Sequence, residues 1–290
     1  MDLSAGSRLL HYTLERQIGA GGMGTVWAAR DGHSGAAVAL KLLRASEHEP
    51  EIARVRLIRE AEATRRIAHA AVVPVVDVFE HTGSPVLVME LLLGETLRSL
   101  LLREQPLPLA RAAELLLPIA EALNEAHAVG IIHRDLKPEN IFIQSVNANA
   151  EPSRPRVRLL DFGVARSYEP PPGFEQTPIT ALGTLVGTLA YMAPEQALRP
   201  SEIDHRVDIW AFGVTLYEAL SGCRPIEGDT APETMRQLLV GGITPLGVVR
   251  PDLPADVLEL VGKILTRQPD KRPSNLDSAT QTLRSYSPQG

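Results

Sequence analysis

The sequence predicts an α+β protein with a small β-rich lobe followed by a larger, mainly α-helical one. Three observations carry that expectation. The first ninety residues alternate short β-rich runs with turn signals, the residues after Gly94 carry apolar positions at helical spacing, and the change of pattern falls near residue 92. The expected division is therefore 1–91 and 92–290.

In chain order, "YTLERQIGAGGMGTVWAARD" and "AAVALKLLR" read as strands, parted by Asp31-Gly32 and Ser34-Gly35. A helix is expected from about 51 to 69, where arginines alternate with apolar residues and glutamates and read as one solvated face. Two further apolar runs, "VVPVVDVFE" and "PVLVMELL", are split by the turn Thr82-Gly83-Ser84. "LARAAELLLPIAEALNEAHAVG" is a long apolar-periodic helix with Gly130 as its stop. More helices are expected at about 207–221, 231–240, 256–266 and 275–284.

Bulk properties narrow the function. At 290 residues, 44% hydrophobic and 22% charged, the chain has the composition of a soluble globular protein. A net charge of −6 gives no support for nucleic-acid binding, which usually shows as a basic patch. The single cysteine, Cys223, rules out an internal disulfide and fits a reducing compartment. The longest apolar stretches, 85–93 and 115–122, are too short or too interrupted to span a bilayer, and no signal-peptide pattern opens the chain.

"GAGGMGTVW" places Gly19, Gly21 and Gly24 in a G-x-G-x-x-G. The dinucleotide-binding version requires a helix directly after the glycines. Here Thr25-Val26-Trp27-Ala28-Ala29 and Asp31-Gly32 follow, so the context is a hairpin, and no G-x-x-x-x-G-K-[ST] loop occurs. Without β-carbons such a hairpin lets backbone N–H groups approach phosphate oxygens. Four more motifs follow in order: "VALK" ending at Lys41, "HRDLKPEN" from His133 to Asn140, "DFG" from Asp161, and "APE" from Ala193 to Glu195.

On these motifs the chain resembles the eukaryotic-type protein kinase family, from about Tyr12 to Leu283. "GAGGMGTV", "REA" and "APEQ" look most like bacterial Hanks-type Ser/Thr kinases. The resemblance implies a bilobal kinase fold, ATP and Mg²⁺ (with Mn²⁺ as a substitute) as cofactors, protein substrates, and transfer of the γ-phosphate to Ser/Thr hydroxyls. Phosphoryl transfer asks a protein for alignment and charge stabilisation more than for covalent chemistry. Residues 18–24 (Ile18, Gly19, Ala20, Gly21, Gly22, Met23, Gly24) would cover the phosphates, and Lys41 would hold them.

A glutamate of the following helix would fix Lys41. Glu60 and Glu62 both stand there; "REA" and the 19-residue separation favour Glu60. Asp161 and Asn140 would supply oxygen ligands to the metal. Asp135 would orient the substrate hydroxyl, Lys137 would reach the γ-phosphate, and Thr188 would stand near both. Val26 and Ala39 would form the roof of an adenine slot, Phe142 its floor and Met89 its back, with the backbone of Glu90 to Leu92 as hinge.

Asp208 would accept hydrogen bonds from the catalytic-loop backbone, and Arg272 would pair with Glu195. Thr177, Thr180 and Thr184 are candidate autophosphorylation positions, with Thr180 and Thr184 favoured and a kinase–kinase dimer as the route. Two stretches, "QSVNANAEPSRPR" and "EPPPG", lengthen loops relative to a compact kinase and read as solvated.

A pseudokinase scaffold is the alternative, disfavoured because Lys41, Asp135, Asn140 and Asp161 are all present. A small-molecule kinase is disfavoured by the Ala-Pro-Glu motif, and a tyrosine kinase by Lys137 and Thr188. No nucleic-acid or membrane contact is expected of the chain, whose expected location is the cytoplasm, alone or as the cytosolic part of a longer receptor.

Overall fold

A computed structural model describes residues 3–21, 24–43, 61, 64–145, 156–162, 189–199 and 202–288. The chain divides into two compact units, Met1–Leu93 and Gly94–Gly290.

The first unit is built on a six-stranded antiparallel sheet of β1 (Arg8–Leu9), β2 (Tyr12–Gly21), β3 (Gly24–Asp31), β4 (Ala37–Leu43), β5 (Val75–His81) and β6 (Ser84–Glu90), in the order β1-β2-β3-β4-β6-β5. Side chains alternate across a strand, so each strand feeds two faces. One face buries Tyr12, Leu14, Trp27, Ala29, Leu40 and Val88 in a shared apolar core. The other carries Val26, Ala28, Ala39, Lys41, Leu87 and Met89, because Val26 pairs with Lys41, Lys41 with Leu87, Ala28 with Ala39, and Ala39 with Met89.

Most of the helix expected at 51–69 lies outside the described residues; Ala61 and Thr64 are helical and buried. Arg65 is exposed, in keeping with a solvated face, and its guanidinium also donates to the Val75 and Val76 carbonyls at 3.0 and 2.9 Å.

The second unit is mainly helical. Its described helices are α1 (Leu97–Glu104), α2 (Leu109–Ala128), α3 (Pro194–Leu198), α4 (Arg206–Ser221), α5 (Ala231–Val240), α6 (Leu246–Val249), α7 (Ala255–Ile264) and α8 (Asp277–Tyr286). Thr96 caps α1 by accepting from the Ser99 N–H, and Thr230 caps α5 by accepting from the Glu233 N–H. Past the end of α2, Gly130 has φ +77° and its N–H reaches the His127 carbonyl at 3.0 Å, the stop the sequence signals.

α4 is buried on every side from Val207 to Leu220 and packs against α2 and α7. A small antiparallel sheet of β7 (Gly94–Thr96), β8 (Ile141–Gln144) and β9 (Arg156–Leu159) lies in a region the sequence reads as helical. Its strands are three or four residues long, too short for a period of two to stand out. Among the described residues no helix is long and apolar enough to cross a membrane.

Candidate active site

In the first unit, Gly19 lies opposite Val26 and Gly21 opposite Gly24 at the end of the β2–β3 hairpin, while Gly22 and Met23 lie outside the described residues. Ile18 sits at an irregularity between Gln17 and Gly19, and it and Ala20 are exposed. Val26, Ala39, Lys41 and Met89 share the sheet face opposite the apolar core, and Lys41 is only 6% exposed. Glu90 ends β6, and Leu92 follows it half-buried. Glu60 and Glu62 lie outside the described residues.

In the second unit the loop from His133 to Asn140 is pinned from several directions. Asp208, fully buried in the first turn of α4, accepts the His133 and Arg134 backbone N–H groups at 2.7 and 2.8 Å, as the sequence leads one to expect. It also accepts His127 Nε2 at 2.8 Å. Burial alone would raise the Asp208 carboxyl, but the His127 hydrogen bond and attraction, with the His133 N–H, hold it below its ordinary value.

His133 Nδ1 accepts the Asp135 N–H at 3.3 Å, so its Nε2 is the protonated nitrogen that donates to the Leu160 carbonyl at 2.8 Å. The Leu160 N–H returns a bond to the Asn140 carbonyl at 2.8 Å. These two bonds lash the residue before Asp161 to the loop that carries Asp135 and Asn140. Asp161 itself has φ +54°, a conformation rare for a residue with a β-carbon, and the Phe162 ring packs 4.9 Å from the His133 ring.

Asp135 is held by its own neighbours. Lys137 Nζ donates to its two carboxylate oxygens at 3.2 and 3.0 Å, and Asn140 Nδ2 donates to its carbonyl at 2.7 Å and to Oδ2 at 3.2 Å. With both amide hydrogens directed at Asp135, Asn140 Oδ1 is the atom that residue can offer to a cation. Asp161 and Asn140 together offer hard oxygen donors, a set that fits Mg²⁺. Phe142 is half-buried on β8, opposite Thr96 and Arg158. A recess beside Asp135 is lined by Arg134, Leu136, Tyr191, Met192 and Gln196. Gly163, Thr177, Thr180, Thr184 and Thr188 lie outside the described residues, as do 146–155 of the first lengthened loop and all of "EPPPG".

Arg272 pairs with Glu195 as expected, through Nη1 and Nη2 at 2.5 and 2.8 Å. Its remaining N–H groups go to the Thr266, Arg206 and Arg267 carbonyls, and the guanidinium lies over the Trp210 ring. Sequence reasoning missed a second network. Arg98, on α1, donates to Glu139 at 3.0 Å, to Glu218 at 2.9 Å and to the Tyr191 hydroxyl, which itself donates to Glu218. Burial, with the Glu218 carboxylate, pushes the Tyr191 phenol far above its usual value. This network ties the 189–199 segment and the turn beside Asp135 to α4.

The loop geometry and the division into a strand-rich and a helical unit are those of a protein kinase domain. The model of the protein kinase domain matches residues 12–286, and the chain belongs to that family. It is 37% identical to Serine/threonine-protein kinase pkn2 of Myxococcus xanthus over 94% of this chain and 32% of that protein. It is likewise 37% identical to Serine/threonine-protein kinase PknA of Mycobacterium tuberculosis, over 90% of this chain and 58% of that one. The chain thus spans about a third to just over half the length of these curated relatives. Its fold is similar to the crystal structure of the Mycobacterium tuberculosis PknI kinase domain, with a TM-score of 0.73 and 24% identity over 99% of this chain and 100% of that one.

Proposed function

We propose that this chain transfers the γ-phosphate of ATP to serine and threonine hydroxyls of proteins. The observation that carries the reading is the Asp135 carboxylate, fixed by Lys137 and Asn140 inside a loop anchored to buried Asp208. The hydroxyl oxygen of the substrate forms the new P–O bond as the bond to ADP breaks, and the hydroxyl proton passes toward Asp135. Because an aspartate is a weak base, fixing its direction matters more than its basicity.

Lys137, already beside that carboxylate, turns its charge to the γ-phosphate, with Thr188 completing the substrate side. Lys41, fixed by Glu60, holds the α- and β-phosphates under the backbone of residues 18–24. Val26, Ala39, Met89 and Phe142 take the adenine ring, and the Glu90–Leu92 backbone bonds its edge. Asn140 and Asp161 hold Mg²⁺, or Mn²⁺ in its place, which when bound supplies positive charge against the phosphate oxygens. Autophosphorylation at Thr180 and Thr184, through a kinase–kinase dimer in the cytosol, puts phosphate within the reach of Arg134.

The test is transfer of labelled γ-phosphate to peptide pools that offer Ser, Thr or Tyr alone. Label should enter the Ser and Thr pools, and Asp135→Asn should lower the rate by roughly 10²–10⁴-fold. Equal labelling by wild type and Asp135→Asn would falsify the assignment, and labelling confined to the Tyr pool would overturn the substrate class.

A further inference from the structure

At one end of the first sheet, the turn joining β1 to β2 meets the turn joining β3 to β4, and they bring His11, Asp31 and His33 together. The backbone fixes the meeting. Tyr12 pairs with Asp31 across the strands, and the Gly32 N–H donates to the His11 carbonyl at 2.9 Å. A β-carbon at Gly32 would lie 2.6 Å from that carbonyl oxygen, so the approach depends on glycine.

One ring nitrogen of each histidine and one Asp31 oxygen lie within 4.8 Å of one another. His11 Nε2 and Asp31 Oδ1 are 3.5 Å apart, long for a hydrogen bond. That spacing is close to the edge of about 3.3 Å that two ligands bonded at ~2.0–2.1 Å subtend around tetrahedral zinc. The carboxylate is already oriented: the His33 N–H donates to Oδ1 at 2.8 Å and the Ser34 hydroxyl donates to Oδ2 at 2.5 Å. Bound metal sites use such outer hydrogen bonds to aim their ligands. The two rings stack with centroids 4.1 Å apart, and His33 is exposed.

We infer that His11, Asp31 and His33 form a binding site for a borderline divalent transition ion, Zn²⁺ by class, which clamps the two turns together. Two imidazole nitrogens and one carboxylate oxygen suit that class, whereas Mg²⁺ and Ca²⁺ favour all-oxygen sets. Water completes the coordination. The inference does not rest on the phosphotransfer reading.

The experiment is a Zn²⁺ titration by calorimetry of the untagged, chelator-stripped chain in excess Mg²⁺. It is run in a Cys223→Ser background so that the exposed thiol does not compete. One equivalent should bind, and affinity should fall at least about tenfold in His33→Ala and in His11→Gln. Zn²⁺ should also raise the melting temperature of the parent and leave that of His33→Ala unmoved. His33 is exposed, so its variant retains the fold even if His11→Gln does not. Absence of saturable binding, or binding of equal affinity in His33→Ala, overturns the site and leaves His11 and Asp31 as an ordinary surface pair.

Discussion

Arg134 stands at φ +64°, a backbone conformation that a residue with a β-carbon adopts at a cost of about 1–2 kcal/mol. The carboxylate of Asp208 offsets that cost by receiving two successive backbone N–H groups, one on each oxygen. An amide has one accepting oxygen, so Asp208→Asn turns an N–H group toward a backbone donor. The folded-state carboxyl lies below its ordinary 3.8, so its contribution is fully present above that value and is lost as pH falls through the lower folded value. Urea unfolding should therefore show a steeper loss of stability below about pH 4 in the wild type than in Asp208→Asn. At pH 7 the variant should be the less stable of the two. Arg272 is the other residue on which much converges, with its side chain wholly buried and every N–H engaged. Arg272→Ala leaves Glu195 without its counter-ion and should cost about 3–5 kcal/mol in chemical denaturation. Arg199→Ala, which breaks an ion pair exposed on both sides, should leave the unfolding midpoint where it is.

At the scale of elements, alternation in β3, β4 and β6 does two jobs. One set of side chains closes the apolar core, and the other presents Val26, Ala39, Lys41 and Met89 together. Strands of seven to ten residues show this pattern in the sequence. β7, β8 and β9 do not, because three or four residues cannot separate a period of two from a helical one. α4 was legible as a helix but not as the centre of its unit, since an apolar run does not reveal how many neighbours it has. Gly213 marks one such neighbour. A β-carbon there would lie 2.2 Å from Ile264 Cγ2, on α7, and 3.1 Å from Leu265 Cδ2. The obstructing atom is a branch methyl close to the backbone, so Gly213→Ala should destabilise by about 1–3 kcal/mol despite its better helix propensity. Ile264→Leu removes that branch, so the double variant should be more stable than the sum of the single losses, as measured by thermal unfolding.

Across the whole molecule, the predicted catalytic residues are shared between the two units: Lys41 in the first, and Asp135, Asn140 and Asp161 in the second. These stand out in the sequence because phosphoryl transfer, as proposed, needs particular residue types at fixed offsets within short motifs. The Arg98–Glu139–Tyr191–Glu218 network does not, because its bonded members stand 27 to 120 positions apart and each alone reads as an ordinary charged or aromatic residue. The same distribution makes a test of the proposed division of labour. If Lys41 and Asp161 act on one bound nucleotide, removing either already forfeits the stabilisation of its developing charge. Lys41→Met and Asp161→Asn should each lower kcat on the order of 10²–10³-fold. The double variant should then fall far short of the product of the two losses, as groups that act as a unit do. Single-turnover transfer at saturating nucleotide measures the three variants on one scale. Losses that multiply would mean that the two residues serve separate steps, and the assignment of Lys41 to the phosphates would have to be withdrawn.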